Sequence, residues 1–131
     1  MDAILVDASV WKVALSRTDD AFRMRVKLAS LLDHYLVEIS EPIRYELLTC
    51  VEQDQRSAWF AHLGSLPVLA FKASTWSVAV QLAWEASRND LELVMQDALT
   101  VSLALQYQRC LFTLNGNQQA IAGFRRLRLI A

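Results

Sequence analysis

An α/β fold, three-layered around a central parallel sheet, is what this sequence predicts, and three observations carry the prediction. Short apolar runs of strand length, led by Ala3-Ile4-Leu5-Val6, are separated by longer stretches whose apolar residues recur at helical spacing, which is the alternation of βαβ units. The first run is apolar at every position, as in strands buried on both faces. The 131 residues, 54 % hydrophobic and without internal repeat, low-complexity segment or linker, match a single domain over 1–131 that can bury a core.

The elements follow in order. The first strand ends at Asp7, and Asp7 or Ser9 can cap the helix carrying Val10, Trp11, Val13, Ala14 and Leu15. Beyond the polar stretch 16–20, the spacing of Phe22, Met24, Val26, Leu28, Leu31 and Leu32 predicts a second helix. Leu36-Val37-Glu38-Ile39 reads as a strand, and Ser40-Glu41-Pro42 as the start of a helix that contains Glu46. Trp59, Phe60 and Leu63 predict another helix, closed by Gly64. Residues 67–71 are strand-like, with Pro67 favouring a sheet edge. A helix from Ser74 carries Trp76, Val80, Ala83 and Trp84 until Asn89-Asp90 breaks it, and Asp97 opens the last long helix. Residues 110–113 form a strand, Asn115-Gly116 is the strongest turn signal, and 127–130 is a final short strand.

Bulk chemistry narrows the function classes. A net charge of −1 excludes a protein that holds nucleic acid mainly by a broad basic surface. It does not exclude a nuclease whose bound cation supplies the attraction for phosphate. No apolar run is long enough to cross a bilayer and Asp2 stands where a signal peptide would be basic, so a soluble cytoplasmic protein is expected. Cys50 and Cys110 are read as buried thiols. His34 and His62 lack partners at zinc-ligand spacing. The four tryptophans are read as core or dimer contacts rather than base-stacking platforms, Asp90 and Glu92 as solvated residues at the rim, and Arg125, Arg126 and Arg128 as the main basic cluster.

Three acids fall at matching places: Asp7 after the first strand, Glu46 in the helix after the second, and Asp97 at the start of a late helix. Ligands of open parallel sheets bind beyond the carboxyl ends of the strands, where strand order reverses, so distant acids can meet there. Hard cations such as Mg2+ and Mn2+ take oxygen ligands, commonly one or two carboxylates completed by water. A second reading of the same residues stays open: Asp7 as a helix cap, Glu46 as a solvated helix residue, Asp97 as a complement to the helix dipole.

The segments bearing these acids resemble the PIN-domain family, in particular the single-domain toxins of the VapC type. Residues 4–11, ILVDASVW, resemble its opening motif; 43–48, IRYELL, the second; 97–104, DALTVSLA, the third; and 111–115, LFTLN, the closing strand and Thr-x-Asp or Thr-x-Asn motif. The likeness extends over nearly the whole chain. It implies an α/β/α fold and a Mg2+- or Mn2+-dependent endoribonuclease hydrolysing RNA, the toxin of a toxin–antitoxin module.

Carried over by position, the resemblance makes Asp7, Glu46, Asp97 and Asn115 the catalytic set, with Asp7 and Asp97 as metal ligands. Ser9 and Thr113 become hydroxyls that orient carboxylates, and Lys12 is the phosphate contact that its place one turn past Asp7 suggests. A small antitoxin protein, seated on the apolar helices around Trp11 to Leu32, and a second copy of the chain are the implied partners. The departure is Asn115, where many relatives carry Asp; Asn117 and Gln118 are neutral too. An amide adds no charge, so a second cation should bind poorly, and a catalytically weak module that binds a partner or RNA remains the alternative. A receiver-type signalling domain is the third possibility, but it would need a phosphorylatable Asp after a middle strand and a Lys after a late one.

Overall fold

The computed structural model describes residues 2–130, so the first and last residues of the expected 1–131 domain lie outside the described residues. Three parallel strands form the sheet: β1 (Ala3–Val6), β2 (Leu36–Glu38) and β3 (Cys110–Phe112), in the order β2-β1-β3. Ile4 pairs with Val37 on one side and Cys110 on the other, and Leu5 with Glu38 and Leu111. The central strand is buried because both edges and both faces are covered; Leu5 and Val6 are fully enclosed.

Seven α-helices flank the sheet: α1 (Ala8–Leu15), α2 (Asp19–His34), α3 (Glu41–Cys50), α4 (Arg56–Gly64), α5 (Thr75–Arg88), α6 (Met95–Gln106) and α7 (Gly116–Ala120). The connection from β1 to β2 and that from β2 over β1 to β3 travel in opposite directions. Right-handed crossovers therefore send their helices to opposite faces of the sheet. The order of strands reverses at β1, and the crevice this creates opens beyond Val6 and Phe112, where the Asp7 N–H donates to the Phe112 carbonyl at 2.9 Å.

Local chemistry explains the helix starts. Asp7 caps α1, its Oδ2 accepting from the Ser9 N–H at 3.0 Å. Ser40 caps α3 with Pro42 in the first turn, where proline's missing N–H has no partner to lose. Ala79, Leu82 and Ala86 form the buried stripe of α5, and small residues there let it lie close against α6.

Five expectations are corrected. Residues 67–71 form a single parallel bridge, Ile39 with Val68, and 127–130 another, Leu111 with Leu129. Asn115-Gly116 is a helix start, since the Asn115 side chain accepts from the N–H groups of Asn117 and Gln118. Helix α6 begins at Met95, which leaves Asp97 within its first turn. Cys50, the last residue of α3, is exposed, and Cys110, the first residue of β3, is partly exposed although it packs against the core. No helix among the described residues is long and apolar enough to cross a membrane.

Candidate active site

Asp7, Ser9, Lys12, Glu46, Asp97 and Asn115 line one cleft of about 280 Å3 at the carboxyl end of the sheet, with Pro42, Ile43, Val94 and Thr100 in its walls. Sequence positions up to about a hundred residues apart meet because β1 and β3 are neighbours and because α3 and α6 touch above them.

Asp7 is only 5 % exposed, and both of its oxygens are engaged. Its Oδ2 accepts from the Ser9 N–H at 3.0 Å and lies 3.4 Å from the Thr113 hydroxyl, while its Oδ1 accepts from the Gln118 amide at 3.3 Å. The helix-cap reading of Asp7 and the cleft reading are thus both satisfied by one side chain. Asp97 is half-buried and accepts through Oδ2 from the Asn115 Nδ2 at 2.9 Å. Burial, followed by the nearby Asp7 charge, holds the Asp97 carboxyl above the ordinary aspartate range; the Asn115 donor pulls the other way.

The expected residues take unequal places. Glu46 faces the cleft, but its Oε2 is bound by the Lys12 ammonium at 2.7 Å. Lys12 is therefore not the unpaired cation that a simple phosphate contact implies. The Glu46 hydrogen bond raises its pKa and keeps it charged. Asn115 turns its amide nitrogen to Asp97 and its oxygen to the start of α7, so that oxygen is not free to coordinate a cation. Thr113, 3 % exposed, and Ser9 contact each other at 3.2 Å; the Ser9 hydroxyl accepts from the Leu114 N–H, and its backbone rather than its hydroxyl reaches Asp7. Gln118, fully buried beside Asp7, was not singled out from the sequence, where a glutamine in a run of neutral residues carries no signal of burial.

The other candidates sort by burial. Trp11 is buried within α1 and meets Trp59 and His62 edge to face at 6.4 and 6.2 Å, while His62 itself is exposed. Trp76 and Trp84 are more than half exposed. Asp90 and Glu92 do not line the cleft. Arg125 is paired with Glu85 at 2.8 Å, which leaves the basic cluster less free than its sequence suggests.

Two hard oxygen donors, one of them the Asp97 carboxyl that burial and the Asp7 charge hold above its ordinary range, suit one Mg2+ or Mn2+ with water in the remaining positions. Among the described residues no group of three or more His, Cys, Asp or Glu side chains forms a metal cage. The carboxylate pair fits a single cation better than two.

No family model matches the sequence, and no curated protein matches it. Solved structures do match over nearly the whole chain. A chain of VapBC2 from Rickettsia felis, bound to a DNA fragment from its promoter, superposes with a TM-score of 0.71 at 18 % identity, covering 98 % of this chain and 97 % of that one. A chain of a toxin–antitoxin complex from Klebsiella pneumoniae gives 0.71 at 18 %, over 98 % and 96 %. VapC20 of Mycobacterium tuberculosis, a toxin that cleaves the sarcin-ricin loop, gives 0.69 at 20 %, over 95 % and 98 %. With its parallel sheet of order β2-β1-β3, the chain has the fold of the VapC-type PIN-domain toxins, the family that its four motifs resemble.

Proposed function

We propose that this protein is a Mg2+- or Mn2+-dependent endoribonuclease, the toxin of a toxin–antitoxin pair, with its reaction centred on Asp7 and Asp97. One observation carries the reading: Asp7 and Asp97 share one cleft, where burial and the Asp7 charge hold the Asp97 carboxyl above its ordinary range. A bound divalent ion, held by Asp7 and Asp97, would supply Lewis acidity for hydrolysis of an RNA phosphodiester.

The chain's own residues prepare that site. The Ser9 N–H and the Gln118 amide hold Asp7 in one orientation, and Asn115 holds Asp97. Lys12 offsets the charge of Glu46, so the cleft keeps two uncompensated carboxylates rather than three. Glu46 then serves at the rim, where displacement of Lys12 toward a phosphate would free it to accept a proton. The partners this reading assigns are a small antitoxin protein and a second copy of the chain.

The test is cleavage of structured RNA with Mn2+ or Mg2+. Wild-type protein is expected to cut, and Asp7→Ala and Asp97→Asn to lose at least about a hundredfold in rate, as removal of one dominant electrostatic group does. Cleavage unchanged in both variants removes the site. A second reading, a binding module without catalysis, draws on the Asn115 amide standing at an acidic position; a wild-type protein that retains RNA uncut with either metal would establish it.

A further inference from the structure

Gln118 is fully buried, and its side chain makes three hydrogen bonds, two of them to the cleft residues Asp7 and Asp97. Its Nε2 donates to Asp7 Oδ1 and to the Asp97 backbone carbonyl, both at 3.3 Å. Its Oε1 accepts from the Thr113 hydroxyl at 2.5 Å. The direction of these bonds is fixed by their partners. A carboxylate and a carbonyl can only accept, so the amide nitrogen must face them and its oxygen must face Thr113. Thr113 spends its one proton on Gln118, and the Ser9 hydroxyl, which accepts from the Leu114 N–H, points its own proton at Thr113 Oγ1 at 3.2 Å. The result is a one-way chain, Ser9 to Thr113 to Gln118 to Asp7.

We propose that Gln118 is the positioning residue of the site: it ends this chain on Asp7, fixes that carboxylate for a cation, and as an amide keeps the cleft at two strong anionic ligands. The inference rests on Asp7 being a cation ligand. Two features of the structure favour a positioning role over packing. An apolar side chain would fill the same volume without needing three satisfied polar neighbours, and burying a polar group is tolerated only when its bonds are complete. Helix α7, five residues long and capped by Asn115, carries no buried side chain other than Gln118.

The experiment measures Mn2+ binding to the metal-free protein by titration calorimetry and by the electron spin resonance of free Mn2+, with thermal unfolding as the control for folding. Gln118→Met keeps the length and removes the donor, and is expected to weaken Mn2+ binding about tenfold, the scale of lost outer-sphere support at metal sites. Gln118→Glu keeps the shape and the Thr113 bond but sets a carboxylate beside Asp7, and is expected to tighten Mn2+ binding about tenfold, since affinity follows the anionic ligand count. A packing role moves both variants the same way, so opposite shifts are the signature.

Wild-type protein that binds Mn2+ while both variants match it, or both weaken it, overturns the role of Gln118 and leaves the proposed function standing. Wild-type protein that takes up no Mn2+ overturns both. If Gln118→Met does not fold, the Gln118→Glu measurement decides alone: tighter binding supports the role, and unchanged or weaker binding ends it.

Discussion

Asp97 shows how one residue trades stability for chemistry. Its carboxyl is raised above 3.8 by burial and by Asp7, so the folded protein holds a proton there more tightly than the unfolded chain does. Stability is therefore lost as pH rises from the unfolded value through the folded one, and at pH 7 the whole penalty is present. Asp97→Asn removes the charge and keeps an oxygen that can accept from Asn115. Metal-free Asp97→Asn is expected to melt roughly 2 °C above wild type at pH 7, a modest single-site gain at a functional position, with the difference vanishing below about pH 3.8. Adding Mn2+ should reverse the order, because only wild type gains a ligand. A variant that melts lower than wild type at pH 7 without metal, in scanning calorimetry, would contradict the strained pair. Asp7 was legible in the sequence because an acid after an apolar strand stands out, and Asp97 because it falls at the start of a long helix. The Lys12–Glu46 pair and the buried Gln118 were not, since side-chain pairing across α1 and α3, or beneath β1, depends on packing that no local pattern encodes.

At the scale of elements, α7 is where the local signal and the tertiary structure diverge. Asn-Gly favours a hairpin turn when two adjacent strands flank it, but here only the preceding segment is a strand. Beside a parallel β3 the chain must cross back, so Asn115 is used as a helix cap instead. The strands expected at 67–71 and 127–130 shrink for a related reason. Each keeps two backbone hydrogen bonds to the sheet, at Ile39 and Leu111, and then turns away, so their apolar residues cover the sheet edges without extending them. Periodicity reports which residues are buried; it does not report how many partners an edge offers.

The cap makes a separable prediction. Asn115→Ala should lower stability by about 1 kcal/mol, the usual cost of a lost N-cap, and Mn2+ should not restore it. Asn115→Asp keeps a capping oxygen but sets a charge against Asp97, so its loss should be recovered when Mn2+ is added. Urea unfolding of the two variants with and without metal checks this. Equal recovery in both would mean that the Asn115 contact to Asp97 is incidental to the cleft's charge.

For the whole molecule, the acidic cleft accounts for one end of the sheet, and the outer face of α5 presents a different problem. From Trp76 to Ser87 its exposed residues are Trp76, Ser77, Val80, Gln81, Trp84 and Ser87, with no charged side chain among them, in a chain of which 21 % is charged. Trp76 and Trp84 are 51 % and 64 % exposed, and Val80 lies between them at 45 %. Absence of charge with exposed indoles is the composition of an interface centre. The spacing is self-complementary: a two-fold axis through Val80 sets Trp76 of one copy against Trp84 of the other and opposes the two helix dipoles. The two indoles and Val80 offer on the order of 300 Å2 of apolar surface, the centre of a standard interface of about 800 Å2 per partner. If a second copy of the chain is a partner, as the resemblance implies, α5 is the face that would fit it, away from the cleft. Light scattering after gel filtration should give twice the chain mass for wild type. Trp84→Glu should weaken the dimer by at least about 2 kcal/mol, roughly thirtyfold in Kd, with the melting of the monomer unchanged because the side chain is already exposed. A wild-type monomer at high concentration would remove the dimer, and a dimer indifferent to Trp84→Glu would move it to another face.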